Sequence, residues 1–399
     1  MIIVGGTYKE IVTSCPASEV VYGSGVRAVD TICQLDKDIS IDFYTCCTAF
    51  ERKIQIRYAS FNNLKFHTTP SEDITFYYLH PFNLSCISPR PDYFIHDRKL
   101  LEIEGEDVLV FGMLEADFHI DAKRVVYDPQ NSVRPVLFSN TGSQAESLGY
   151  ILNAHEARAI TGSDEMDDQA RFLFEREKCK FVVIKNGTKG AYVYDQNVHT
   201  RYNIPVYVTP KVSCIGSGDV FSATFAYYWF KGHSVKEAAQ YASKAVACYA
   251  ASGSTGDLLD KIEHFSYSEL IPQRKGQIYL AGPFFSLSQH WLISEFYNAL
   301  HQENVIVFSP LHNVGFGGDE TAKADLEGLN SSDVILAIAD GLDAGTMFEV
   351  GYAVNKGIPV VVFNSCEHGN DLQMLSGTGC DIVNDFATAV YKSIWYAIK

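Results

Sequence analysis

"VSCIGSGDVFSATFAYYW", Val212 to Trp229, puts two glycines, a serine and an aspartate at four consecutive positions and then turns apolar and aromatic. Small residues let the backbone curl so that successive N–H groups face one space, and the helix that follows adds its N-terminal partial charge. Gly216, Ser217 and Gly218 thus form a seat for a phosphate, and Asp219 stands where a carboxylate takes a proton from an incoming hydroxyl. A plain strand-to-helix turn would look similar, so the surrounding pattern has to decide. Upstream, "DVLVFGML" (107–114), "RVVYDP" (124–129) and "KFVVIKNG" (180–187) read as buried strands, with "QAESLGYI" (144–151) and "DDQARFLFERE" (167–177) as helices between them. Strand and helix in alternation imply an α/β fold with a parallel sheet covered on both faces.

Between Ile39 and Phe82 the pattern changes. "KIQIRYASF" and "DITFYYLH" alternate in polarity and are rich in Tyr, Phe and Thr, which predicts antiparallel strands forming a small β flap. From Asp260 to Lys275, charge, proline and lost periodicity predict a linker, and "QIYLAGPFF" then opens a second, smaller α/β domain. The expected organisation is a first domain over 1–268, a linker over 269–276 and a second domain over 277–399.

The 399 residues suit two domains. A net charge of −16 disfavours nucleic acid and anionic membranes as partners, while leaving small anionic ligands open. No run of about 18 apolar residues predicts a membrane span. The N-terminus lacks the marks of a secretory signal, and the ten cysteines lack metal-ligand spacing, so a cytoplasmic protein with reduced thiols is expected.

The first domain resembles the ribokinase (PfkB) family of sugar and nucleoside kinases. "SCIGSGD" (213–219) matches that family's late D-T-x-G-A-G-D turn at its glycines and aspartate, with Ser213-Cys214 in place of Asp-Thr. Asn153 and Glu156 in "ILNAHEARAITG" match its Asn-x-x-E element, although a helix cap would read the same way. The resemblance implies a ribokinase-like α/β sandwich. It also implies ATP and Mg²⁺ as cofactors, Glu156 acting on the metal indirectly, and Gly187 and Gly190 on the nucleotide side. On the acceptor side Glu10 falls where the family places an aspartate. "YGSGVR" (22–27) puts Arg27 where the family has an asparagine. That arginine either receives an anionic group on the acceptor or marks a site that has lost its ordinary substrate.

In the second domain Glu349 lies in the first turns of a helix behind "DAGT", with Asp343 six residues earlier and Asp325 opening another helix. An ionised carboxylate facing a small pocket can attack an anomeric carbon while an acid assists departure. Taken singly, these acids would also serve as helix caps or solvated carboxylates. "IYLAGPF" (278–284), "DLEGLNSSDV" (325–334) and "DAGTMFEVGYA" (343–353) together resemble the nucleoside 2-deoxyribosyltransferase family. That resemblance implies a flavodoxin-like or Rossmann-like parallel domain that needs no cofactor, with Glu349 as nucleophile and Tyr279 orienting it. Asp325 and Asp343 would hold and protonate the base. Gly345, Thr346, Gly282 and Phe284 would shape the pocket. A polar group from a neighbouring subunit, with Asn370 or Gln373 as its counterpart here, implies a homo-oligomer. The expected function is a bifunctional enzyme acting on small nucleosides, nucleotides and sugars. It would cleave or transfer an N-glycosidic bond in one domain and move the ATP γ-phosphate in the other. The alternative makes the first domain a nucleotide or sugar sensor that controls an N-glycoside hydrolase, which would deplete deoxynucleotides or NAD.

Overall fold

The computed structural model describes residues 1–13, 17–96, 98–130, 135–196, 200–315, 317–367, 369 and 371–399. The chain divides into two compact units, one formed by 1–79, 84–209 and 213–269, the other by 80–83, 210–212 and 270–399.

The first unit is built on a nine-stranded sheet. From one edge its order is Leu64–Thr69, Ile41–Cys46, Ile2–Val4, Lys99–Phe111, Ala116–Asp128, Gln144–Asn153, Phe181–Lys185, Ala191–Asp195 and Thr200–Ile204. The first seven run parallel, Ala191–Asp195 runs antiparallel to both its neighbours, and Thr200–Ile204 therefore points the same way as the first seven. Both faces are buried, which is why these strands read as continuous apolar runs. Leu109, Phe111, Phe181 and Val183 pack with Val26, Val29, Val220 and Ala238 from the helices Ser24–Leu35, Ser217–Phe230 and Val235–Ser252. Val108, Val110, Val182 and Ile184 pack on the other side with Ala157, Ala170 and Leu173.

Lys99–Phe111 and Ala116–Asp128 pair in parallel from end to end, with Lys99 opposite Ala116 and Phe111 opposite Asp128. A straight strand of 13 residues would be about 43 Å long. The short connection between the two strands reaches no more than about 18 Å. Both strands must therefore fold back on themselves near their middles, and Lys99 N–H donates to the Glu115 carbonyl at 2.9 Å. The outcome is visible in the packing: Leu101, Ile103, Phe118 and Ile120, from the first halves, share one core with Val108 and Val110 from a second half.

Three sequence expectations are corrected here. "QAESLGYI" is not a helix but most of the strand Gln144–Asn153. Its alternation and the buried run Leu148–Leu152 follow the sheet, so its helix-forming composition loses to tertiary pairing. "KIQIRYASF" holds the helix Glu51–Arg57 rather than a strand. Within it Ile54 is buried, while Ile56 is 65% exposed. The flap itself exists but draws on other residues. It is a four-stranded sheet in the order Ser18–Tyr22, Tyr8–Val12, Thr75–Tyr78, Cys86–Ser88. Ile41–Cys46 and Leu64–Thr69, expected in the flap, lie in the main sheet instead.

The second unit has a five-stranded parallel sheet in the order Ile306–Phe308, Gln277–Ala281, Val334–Ile338, Val360–Phe363, Asp381–Val383. In chain order this is 2-1-3-4-5, the flavodoxin-like arrangement. It opens a crevice beyond the carboxyl ends of its first and third strands. Tyr279, Ile335 and Ala337 face a core shared with Val350 and Ala353 of the helix Ala344–Lys356. Among the described residues no helix is long and apolar enough to cross a membrane.

Candidate active sites

In the first unit, Gly216 caps the helix Ser217–Phe230 in the left-handed region, with φ of 78°. A Cβ there would lie 2.1 Å from Nε of Arg27, so the guanidinium rests directly against the turn. Arg27 comes from the helix Ser24–Leu35 and is only 3% exposed. Its two terminal nitrogens divide between two acids. One donates to Asp219 Oδ2 at 2.7 Å and the other to Glu10 Oε2 at 2.6 Å. The second oxygen of Asp219 accepts from the Gln130 carboxamide, and Glu10 Oε1 accepts from Gly23 N–H at 3.0 Å. A cavity of about 230 Å³ lies against this set and is also lined by Tyr8, Phe76 and Tyr78 of the flap.

Asn153 and Glu156 form a capping box at the helix Ala154–Thr161, each side chain bonded to the other's backbone N–H. Burial, and next the charge of Asp128, push Glu156 up to about 7. Gly187 and Gly190 both take positive φ at the bends after Phe181–Lys185.

Sequence reasoning missed three neighbours of this end. Lys185 Nζ lies 2.7 Å from Asp128 Oδ2, and the Ser222 hydroxyl donates to the same oxygen at 2.6 Å. A Cβ on Gly218 would be 3.4 Å from that ammonium, so it sits beside the anion turn. Burial works against the charge of Lys185, but Asp128 and Glu156 outweigh it and hold its pKa above the ordinary value. A signal was available, because Asp128 and Lys185 both close central parallel strands at their carboxyl ends, where open α/β sheets hold ligands.

Asp128 is fully buried and its Oδ1 lacks a hydrogen-bond partner. An orphaned carboxylate oxygen beside Glu156 fits a divalent cation. Among the described residues no three acidic, His or Cys side chains form a metal cage. Mg²⁺ commonly uses one or two carboxylates and completes its shell with water and phosphate oxygens.

In the second unit, the Tyr279 hydroxyl donates to Glu349 Oε1 at 2.6 Å, and its ring is stacked on Phe308. Burial pushes Glu349 up to about 7, the Tyr279 hydrogen bond opposes the shift, and the charges of Asp325 and Asp343 add to it. Burial also raises Asp325, whose Oδ1 is buried without a partner. One oxygen of Asp343 caps the helix Ala344–Lys356, accepting from Thr346 N–H at 2.9 Å and from its hydroxyl at 3.1 Å. Thr346 is thus a capping partner. Gly345 lies over that cap, where a Cβ would be 3.1 Å from Asp343 Oδ2. Gly282 answers a packing need, since a Cβ would meet Ile293 at 2.7 Å. Phe284 stacks on Phe285, which is 72% exposed. Gln373 begins the helix Gln373–Gly377, whereas Asn370 and Phe316 lie outside the described residues.

Comparison with known proteins agrees with the division of the chain. Residues 99–262 match the pfkB family carbohydrate kinase model, and residues 278–378 match that of nucleoside 2-deoxyribosyltransferase. The chain therefore carries a pfkB-type kinase domain fused to a deoxyribosyltransferase-family domain. A 5-dehydro-2-deoxygluconokinase of Listeria monocytogenes is 29% identical over 138 residues, 32% of this chain and 41% of its own length. One from Clostridium tetani is 31% identical over 98 residues, 24% of this chain and 27% of its own length. The chain thus spans less than half the length of these relatives. Ribokinase of Thermotoga maritima superposes with a TM-score of 0.50 at 16% identity, covering 66% of this chain and 98% of the other. Ribokinase of Giardia lamblia gives 0.50 at 14%, with the same coverage. Both establish a ribokinase-like fold for the first domain.

Proposed function

We propose that the second domain breaks the N-glycosidic bond of a 2′-deoxynucleoside or deoxynucleotide by displacement at the anomeric carbon. One oxygen of Glu349 bonds to C1′ as the bond from C1′ to the base nitrogen breaks. The electron pair leaves with the base, which takes a proton from Asp343 or Asp325. Water or a second base then releases the sugar from Glu349. The observation that carries this reading is the 2.6 Å bond from Tyr279 to a partly buried Glu349. Tyr279 aims the nucleophile and favours its ionised form, and the unpartnered Asp325 oxygen offers an acceptor to the base. Phe284, Gly282 and Gly345 would border the pocket. Turnover of 2′-deoxynucleosides and their 5′-monophosphates by the full chain tests the reading. Glu349→Ala is expected to abolish product, and an unchanged rate in that variant removes the proposed nucleophile.

The first domain, in the same proposal, transfers the ATP γ-phosphate to a sugar or nucleoside hydroxyl. The donor would lie along Gly216–Gly218 and the bends at Gly187 and Gly190, with Asp219 as base and Glu10 and Arg27 at the acceptor. Mg²⁺, when bound near Glu156 and Asp128, would offset phosphate charge. The similarity to 5-dehydro-2-deoxygluconokinases supports a sugar acceptor. A second reading, a sensor without phosphoryl transfer, draws on one observation: Asp219 already has donors on both oxygens. A homo-oligomer in the cytoplasm belongs to the same proposal.

A further inference from the structure

We infer that Arg27 restricts the first domain to small acceptors carrying a carboxylate or phosphate, because only such an acceptor draws the guanidinium off Asp219 and frees the base. The inference rests on the phosphoryl-transfer reading and gives it a substrate class. As the site stands, Asp219 is held by Arg27 on one oxygen and Gln130 on the other. A guanidinium at 2.7 Å occupies the oxygen that would have to face the acceptor hydroxyl. A neutral sugar offers no charge in exchange and leaves the bridge in place. An anionic group offers Arg27 an equivalent partner, and Asp219, then held by Gln130 alone, turns its freed oxygen to the acceptor hydroxyl.

The other arm of Arg27 stays on Glu10, which is itself fixed by Gly23 N–H, so the guanidinium pivots within the site rather than leaving it. Its Nε is buried without a hydrogen-bond partner, leaving donor capacity unused. The cavity, about 230 Å³, falls below the roughly 300 Å³ where drug-sized ligand sites begin, which favours a single sugar ring over a nucleoside. In the reaction the acceptor hydroxyl gives its proton to Asp219 Oδ2 and its oxygen bonds to the γ-phosphorus. The bond from that phosphorus to the bridging oxygen breaks, and ADP leaves with the electron pair.

The test uses the full chain with Mg-ATP and three matched acceptors: ribose, ribonate and ribose 5-phosphate. Phosphorylated product is read by mass spectrometry for the native protein, Arg27→Asn, Arg27→Lys and Asp219→Asn. The native protein should prefer at least one anionic acceptor over ribose by about tenfold or more in kcat/KM, and which one separates carboxylate from phosphate. Arg27→Asn should lose that preference and gain on ribose. If it fails to fold, as thermal melting would show, Arg27→Lys keeps the charge without the fork and should still reduce the preference. Equal rates on all three acceptors, unmoved by either Arg27 variant but lost in Asp219→Asn, overturn the inference and leave phosphoryl transfer standing. If the native protein forms no product from any of the three acceptors, phosphoryl transfer itself falls. Calorimetric titration then decides the role of Arg27: anion binding lost in Arg27→Lys supports it, and ribose binding as tight as the anions overturns it.

Discussion

Replacing Tyr279 by Phe removes one oxygen from a fully buried ring and should reveal itself through pH rather than through a simple loss of rate. The hydroxyl donates to Glu349 at 2.6 Å and counteracts the burial that pushes this acid up to about 7. A hydrogen bond to a charged group contributes about 1.5–3 kcal/mol, which corresponds to roughly 1–2 pKa units. Without it Glu349 should titrate at about 8–9. At about pH 6.5 the ionised fraction would fall from about a quarter to between roughly 3% and 0.3%, a loss of about 8- to 80-fold in kcat/KM. At about pH 9.5 most of that deficit should vanish. Initial rates of deoxynucleoside cleavage from pH 5.5 to 10 would record the profile, with the ring's stacking on Phe308 retained. A deficit of the same size at every pH would refute the reasoning and reduce Tyr279 to a packing residue.

Glu349→Gln should stabilise the ligand-free protein while it abolishes turnover. Glu349 is raised from 4.5 to about 7, so between those values the native state holds a proton that the unfolded chain has lost. Stability therefore declines as pH rises through that window, by up to about 3 kcal/mol at pH 8, and the amide escapes the decline. Calorimetric melts at about pH 5 and pH 8 should diverge between the two proteins chiefly at the higher pH, and parallel behaviour would contradict a partly buried, reluctantly ionised Glu349. Gly216→Ala should cost at least about 1–2 kcal/mol for the left-handed backbone alone. It should also push Arg27 aside, because its Cβ would meet the guanidinium at 2.1 Å. A urea midpoint equal to that of the native protein would show that the turn relaxes freely.

Much of the second domain can be read along the chain because its signals are local. Asp343 and Glu349 share one turn and helix, and each strand is a short apolar run bounded by turn residues. The first domain was harder wherever the deciding partner is distant. Gln144–Ser147 has helix-forming composition, and only its pairing with 121–124 makes it a strand. The hydrogen bond from Arg27 to Asp219 spans 192 positions, and that to Glu10 spans 17. Spacing could nominate all three residues for a site. It could not show that one cation joins the other two. Lys185 and Asp128 escaped notice for a similar reason: each looks like a strand end, and only the parallel sheet sets them side by side.

The length of that bridge also bears on how the protein is made. Glu10 and Arg27 leave the ribosome early and can find each other at once, but Asp219 is synthesised roughly 10–40 s later at ordinary elongation rates. Until then one arm of the arginine lacks the acid that it holds in the folded domain. Closing the bridge is thus among the last events in assembling this domain, and a nascent chain arrested before residue 219 lacks the acid that closes it.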